Sequence, residues 1–485
     1  MTCGLLVAAG CTEEKNEEEQ PPDEEPTEVP LGPPPPVSGT YHWYADLTPA
    51  LSIAEDFAVA PDGRVAFTSS PVQAGTVAGV PFTHFGPGTK IPNYDLLVAV
   101  LDTTGKVAWL KTFATAEIEG ATSVAFDDKG DLYVSGLFKD NVDGLDFGNG
   151  VSVGIGPGEI SSFLVKLRGS DGTALWATAI QSDTSYVQPY CGYFNKEHAV
   201  RGGVGAIGCI FDAGAGTRHA KIVTKTGSTL VAPAGPNENA FAFAFNPSTG
   251  EPIGTYVLGG VDSFIRTLAI TKTGGIVIGG QLQEGTATDS AGSAPLTLTA
   301  PSCFVTTLSA DLKPTARRTF GGDATSECDL TGVAVAGADR VLVAGNASGN
   351  VNFGDGATSS GNFGFTMTLD VSLANIRAPE RFANERVFAV ATDAWGQSFV
   401  GVSTESAQLS LRYLKHDAAG ERIYTSKKYT PDASASRTSL KALGLEVDKS
   451  GAPSVFGLLS GTLSLDDGPH GEGSNLHLFA LRFAP

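Results

Sequence analysis

The residues most able to do chemistry sit in Gly-rich turns. "LDFGNG" (145–150) contains Asp146-Phe147-Gly148, the triplet that holds magnesium in protein kinases, and "GIGPG" (154–158) follows at once. Kinase chemistry would also need a Gly-rich loop after a strand, a lysine on the third strand and a His-Arg-Asp loop, and none is present. The element also recurs, as "HFGPG" (84–88), "NFGDG" (352–356) and, altered, "LSLDDG" (463–468). A catalytic site should occur once. Asp146 and Asp355 stand at different offsets in their copies, whereas calcium needs about six to eight oxygens in one place. The element therefore reads as a turn, with Phe packing between units and Gly supplying a positive φ.

Other candidates are weaker still. "DDKGD" (127–131) has Lys129 where an EF-hand needs a ligand. "LDDGPHGEGSNLH" (465–477) offers His470, Glu472 and His477, but a solvated hairpin tip explains it as well. There is no Gly-x-Ser-x-Gly nucleophile elbow. His42, His84, His198, His219, His416, His470 and His477 are scattered and read as surface or hairpin residues. Glycoside hydrolysis needs two carboxylates about 5–10 Å apart, and 52 acids offer too many pairs to choose. One aromatic stretch stands out. "DTSYVQPYCGYFNKEH" (183–198) brings Tyr186, Tyr190, Tyr193 and Phe194 into an irregular segment around Cys191. Tyr-rich loops are favoured binding surfaces; a loop packed on its own unit is the alternative. No catalytic residue, metal or cofactor is expected.

The elements that would position these residues are strands. The chain has 485 residues, 60 of them Gly, and only 17% are charged. That composition favours many short strands and tight turns. Two patterns recur. One is an alternating apolar hairpin: "EDFAVAPDGRVAFTSS" (55–70), "TSVAFDDKGDLYVSGL" (122–137), "RTLAITKTGGIVIGGQ" (266–281), "TGVAVAGADRVLVAGN" (331–346), "VFAVATDAWGQSFVGV" (387–402) and "LGLEVDKSGAPSVFGL" (443–458). The other is a strand, a polar turn and a further strand, as in "DLLVAVLDTTGKVAWLKTF" (95–113) and "FLVKLRGSDGTALWATAI" (163–180). The turn glycines Gly63, Gly130, Gly274, Gly396 and Gly451 set a period of roughly 60–70 residues, which is the scale of one repeat unit. A degenerate unit fills 198–258, where "VGAIGCIFDAG" (204–214) replaces the usual hairpin.

Counting predicts seven units of four strands, the last incomplete. "LHLFALRF" (476–483) matches a third strand, and then the chain stops. The missing strand is found at the other end. "SGTYHWYADLTPA" (38–50) shares the Gly-x-x-x-Trp core of "TGKVAWLKTFATA" (104–116), with Gly39 to Trp43 beside Gly105 to Trp109. The expected fold is all-β: a seven-bladed β-propeller of four-stranded antiparallel blades over 38–485, closed by the N-terminal strand. The repeats resemble the SBBP-type β-propeller repeats of exported bacterial proteins and lipoproteins, best over 123–150. "GSDGTALW" (169–176) also resembles the Asp-box of sialidase propellers, which is structural there.

The N-terminus suggests an address. "GLLVAAGC" (4–11) resembles a bacterial lipoprotein signal, with Ala8 where that family usually has Leu. The resemblance implies lipidation at Cys11 and, with Thr12 next, outer-membrane sorting. Residues 12–37 carry nine acids, one Lys and many prolines, so they cannot build a core and suit a tether. Cys191, Cys209, Cys303 and Cys328 remain as an even set. Proximity suggests Cys191–Cys209 and Cys303–Cys328, among three possible connectivities; zinc is disfavoured because no Cys-x-x-Cys occurs. The net charge of −20 argues against nucleic acid. The expectation is a monomeric, non-catalytic lipoprotein at the outer membrane or cell surface. Its propeller would bind protein or polysaccharide. The alternative is a carbohydrate-active hydrolase or lyase, which would show acids, Arg or His converging at one mouth of the axial channel.

Overall fold

Alternating Val, Ile, Phe and Ala, broken by Asp-Gly and Thr-Gly turns, produce paired strands throughout. In the computed structural model of the protein, the described residues are 32–36, 38–47, 52–83, 94–115, 117–139, 144–154, 156, 160–183, 189–192, 197–323, 325–337, 340–355, 358–359, 361–404, 410–432, 439–471 and 476–485. Among them every regular element is a β-strand, and no helix is long and apolar enough to cross a membrane. Residues 35–485 form one unit.

Sheet A runs from an inner to an outer strand as Ser52–Val59, Val65–Pro71, Leu96–Leu101 and Val107–Phe113. Sheets B to G repeat the plan from the inner strands Ile118–Phe126, His198–Arg201, Ser263–Ile270, Glu327–Ala336, Arg386–Thr392 and Ser439–Val447. Each inner strand packs beside the next, and Ser439–Val447 returns to Ser52–Val59. A cavity of about 230 Å³ on the axis is lined from all of these inner strands, from Asp56 round to Glu446. This is a β-propeller arrangement. Strand Tyr41–Asp46 pairs antiparallel with Leu476–Phe483 and so forms the outer strand of sheet G.

The four-stranded plan recurs, and two sheets carry more. Sheet B has six strands and sheet C seven. One added strand of sheet C, Tyr190–Cys191, pairs with Val204–Asp212; the other added pieces are insertions between the second and third strands of the following sheet. Ala220–Val223 pairs onto Ala174–Ser182 of sheet B, and Gly285–Asp289 pairs onto Pro252–Gly259 of sheet C. Each covers an outer edge whose backbone groups would otherwise be open to pairing. One correction concerns "VGAIGCIFDAG". Val204–Asp212 does form a hairpin, with His198–Arg201, through Gly202 and Gly203.

"LDFGNG" is a small hairpin, Leu145–Gly148 with Val151–Val153, and Leu463–Leu465 with Gly468–His470 occupies the same slot in sheet G. The Asp146 carboxylate accepts a hydrogen bond from the Gly148 N–H at 2.8 Å and so holds its own turn. Phe147 is buried between Phe113 of the preceding sheet and Phe163 of its own, with ring centroids 5.3 and 5.2 Å away. Phe353 repeats this role against Phe320 and Phe363. "HFGPG" lies outside the described residues.

Neighbouring sheets interlock through the Gly-x-x-x-Trp element. The Trp109 indole of sheet A donates to the Gly169 carbonyl in the third-to-fourth turn of sheet B at 2.9 Å. Trp176 donates likewise to Pro247 of sheet C at 3.1 Å, and Trp43 of the closing strand to Thr103 of sheet A at 3.0 Å. Gly172 must be glycine for two reasons. Its φ is +69°, and a Cβ there would lie 2.8 Å from Trp109. The same relation sets Gly250 against Trp176, Gly105 against Trp43 and Gly39 against Tyr424. In sheets D and E, Leu312 and Leu373 take this left-handed turn position, with φ of 61° and 65°. The aligned residues of the sheets before them are small, Gly254 and Ala316. Large therefore meets small around the ring.

Candidate functional site

The antiparallel order gives the propeller two unlike ends. One carries the hairpin turns of each sheet. The other carries the linkers from each outer strand to the next inner strand, and a wide cleft opens there. About 650 Å³ lies over sheets D, E and F, and it adjoins a further 390 Å³ that extends to the inner strand of sheet G. The two volumes share Arg266, Asp329, Asn346 and Arg386.

A repeated backbone irregularity builds this mouth. The inner strands of sheets A, B and D to G each slip register by one residue, in D to G at Arg266, Thr331, Phe388 and Leu443. A β-bulge bends its strand and re-aims the extra side chain. All four bulged residues line the cleft. Sequence alternation hides this, because a bulge breaks the period of two it relies on. The visible trace is an arginine placed inside an otherwise apolar strand.

Asp329 follows Cys328 on the inner strand of sheet E. The Cys303–Cys328 disulfide joins that strand to the third strand of sheet D, so it fixes the cleft floor. The Cys328 carbonyl accepts from Gln281 Nε2 at 3.2 Å. Asp329 Oδ1 lies 3.6 Å from Arg266 Nε. Burial raises the Asp329 pKa, and the opposing pull of Arg266 and Arg386 does not cancel it. Glu385 is anchored by Arg412 at 2.6 Å and Lys428 at 3.6 Å. The Asn346 amide accepts from Val387 N–H at 2.9 Å and donates to its carbonyl at 3.0 Å, which binds sheet F to sheet E. Gln283, Asn362 and Asn384 complete a rim rich in carboxamides.

The residues singled out from sequence fare differently. Both expected disulfides are present, Cys191–Cys209 and Cys303–Cys328. Disulfides are what a protein of an oxidising compartment carries. Tyr190 is half-buried and pairs with Ile210 in the edge strand beside Cys191. Tyr186, Tyr193, Phe194 and Cys11 lie outside the described residues. In the 465–477 loop His470 binds Asp467 at 2.6 Å, whereas His477 faces Asp46 at 3.4 Å, so they do not converge. Among the described residues no group of three or more His, Cys, Asp or Glu side chains could hold a metal ion. Asp127 and Asp131 of "DDKGD" both bind Lys166, at 3.2 and 3.1 Å.

Two histidines correct the surface reading. His198 and His416 are buried. His198 sits against the rings of Tyr133 and Phe245, and desolvation alone lowers its pKa to about 3.

No family model matches the chain, and no curated protein matches it. Solved structures resemble it at low identity. A protein of unknown function from Dyadobacter fermentans aligns at 10% identity and a TM-score of 0.42, covering 92% of this chain and 99% of that one. Sqt1 from Chaetomium thermophilum aligns at 10% identity and 0.41, covering 92% and 98%. The NanB sialidase from Streptococcus pneumoniae aligns at 9% identity and 0.36, covering 94% and 71%.

Proposed function

We propose that the protein is a seven-bladed, non-catalytic binding module that grips a polysaccharide in the cleft at its linker end. The observation that carries this is the cleft lining. Gln281, Gln283, Asn362 and Asn384 surround Asp329, Arg266 and Arg386. Planar amide, carboxylate and guanidinium groups present paired donors and acceptors, which match the adjacent hydroxyls of a sugar. The count of seven is supported by the inner strands that line the axial cavity from sheets A to G. We further propose lipidation at Cys11, residues 12–37 as a tether, and a monomer at the cell surface.

The test is a glycan array and pull-down with the full chain. Binding that falls at least tenfold in Gln283→Ala and Asn362→Ala supports the reading. Retention of no polysaccharide at all would sink it. The anchor is tested by Cys11→Ser, which should release the protein from membranes; unchanged fractionation refutes it.

One observation favours a second reading, a carbohydrate-active enzyme. A carboxyl with a raised pKa in a cleft is suited to general acid work. Cleavage of a polysaccharide by the wild type, lost in Asp329→Asn, would establish that reading and displace the first.

A further inference from the structure

We infer that the saccharide taken by the cleft carries a carboxylate, seated on Arg266 and Arg386. The inference rests on the saccharide reading above and adds the charge of the ligand.

The first argument is a local relief of the chain's negative charge. The chain as a whole is −20. At the cleft, Arg266, Arg386 and Lys441 line the wall, and Arg412 and Lys428 stand behind it, against Glu327, Asp329 and Glu385. The lining itself is balanced, three cations to three anions, in a chain that is strongly acidic as a whole. Two guanidinium groups at one mouth offer an anion a local field that the net charge of the chain opposes elsewhere.

The second argument is how those charges are used. Glu385 already receives Arg412 at 2.6 Å and Lys428 at 3.6 Å, so it is compensated from behind. Arg266 and Arg386 instead act on Asp329. Arg266 is the bulged residue of its strand, which turns its guanidinium into the cleft. The contact at 3.6 Å is longer than a close ion pair. A guanidinium fork takes a carboxylate through two parallel hydrogen bonds, and an incoming ligand carboxylate can compete for it. Burial disfavours the Asp329 charge, which weakens its hold on the two arginines. Gln281, Gln283 and Asn362 then remain for hydroxyls.

A direct test uses carboxylated oligosaccharides, each paired with its own methyl ester. The probes are oligomers of galacturonate and glucuronate-containing oligomers. The ester keeps every hydroxyl and removes only the charge. With the full chain, calorimetry should show each acid binding at least tenfold tighter than its ester. Arg386→Gln and Arg266→Gln should each weaken the acid about tenfold and the ester by much less. Arg386→Lys, which keeps the charge but not the fork, should fall between. Thermal melting of each variant separates lost binding from lost folding. Equal affinity for acid and ester, or arginine variants that bind the acid as before, overturns the inference. Binding of neutral glycans with neither acid nor ester overturns it too, yet leaves the polysaccharide reading standing. Failure of every saccharide overturns both.

Discussion

The two ends of the propeller use charge in opposite ways. At the turn end a cation on the third strand is locked onto an aspartate in the first hairpin turn. Lys166 meets Asp127 in sheet B, and Arg482 meets Asp448 in sheet G and also donates to the Gly63 carbonyl of sheet A. Where the turn lacks Asp, the matching strand position is uncharged: Ala60 with Val100, Thr271 with Thr307, Ala336 with Thr368. At the linker end, Asp329 lies 3.6 Å from Arg266 in a cleft. Close buried pairs hold the ring together at the turn end, and a longer, more exposed contact lies in the cleft.

The largest effect should come from breaking a closed pair. Arg482→Met leaves Asp448 buried without its partner, and removing one member of a buried pair costs about 3–5 kcal/mol. Denaturant melts should show this loss, whereas Arg266→Gln at the linker end should shift stability by less than about 1 kcal/mol. Similar losses at both ends would erase the contrast.

The disulfides sharpen it. Each closes a short loop, of separation 18 and 25, worth about 3–4 kcal/mol through chain entropy. Replacing Cys191 and Cys209 by Ala should lower stability and leave saccharide affinity alone. Replacing Cys303 and Cys328 should lower both, because Cys328 places Asp329. Calorimetry on both double variants separates the cases.

Within the ring, Gly172→Ala combines a left-handed φ, worth about 1–2 kcal/mol, with a methyl driven into Trp109. A loss of about 2–4 kcal/mol is expected in denaturant melts. Gly227→Ala, which has open space around it, should cost little.

These repeated features were legible in the sequence because they recur. Gly-x-x-x-Trp appears at both ends of the chain, so the closing strand Tyr41–Asp46 could be placed without coordinates. The Phe147 element declared itself as a turn by recurring. The cleft was not legible, for a physical reason. It depends on bulges, which shift Arg266 out of the alternating pattern, and on neighbours far apart in sequence such as Arg266 and Asp329. The strand insertions onto sheets B and C were hidden likewise, because an edge-covering strand pairs with the previous unit rather than its own. His198 escaped because its strand is only four residues long, too short for alternation to reveal which face is buried.

His198 offers a test of burial through pH. Its folded pKa is lowered to about 3 from an unfolded 6.5, so the unfolded chain binds the extra proton. Its contribution is complete above the unfolded value and is lost as pH falls toward the folded one. Each unit below 6.5 costs about 1.4 kcal/mol. His198→Phe suits the surrounding Tyr133 and Phe245 rings and should lose about 2 kcal/mol less between pH 7 and pH 5 than wild type does. Parallel acid curves for the two proteins would show that His198 does not titrate in this way.

The smallest effect belongs to Asp329, and its sign is the informative part. Here the folded pKa is raised, so the folded chain holds the proton more tightly than the unfolded one. Stability is therefore favoured below the unfolded carboxyl range and declines as pH rises through the folded value. Above that window the charged Asp329 is a net burden. Its side chain is 47% exposed, so solvent screens much of the cost and the burden stays below about 1 kcal/mol. Asp329→Asn should melt slightly higher than wild type at pH 7 and level with it near pH 3. A group that weakens the fold at neutral pH, set against closed pairs that strengthen it, is what a binding cleft and its scaffold should show. A variant that melts lower at pH 7 would instead place Asp329 among the structural pairs and remove the distinction between the two ends.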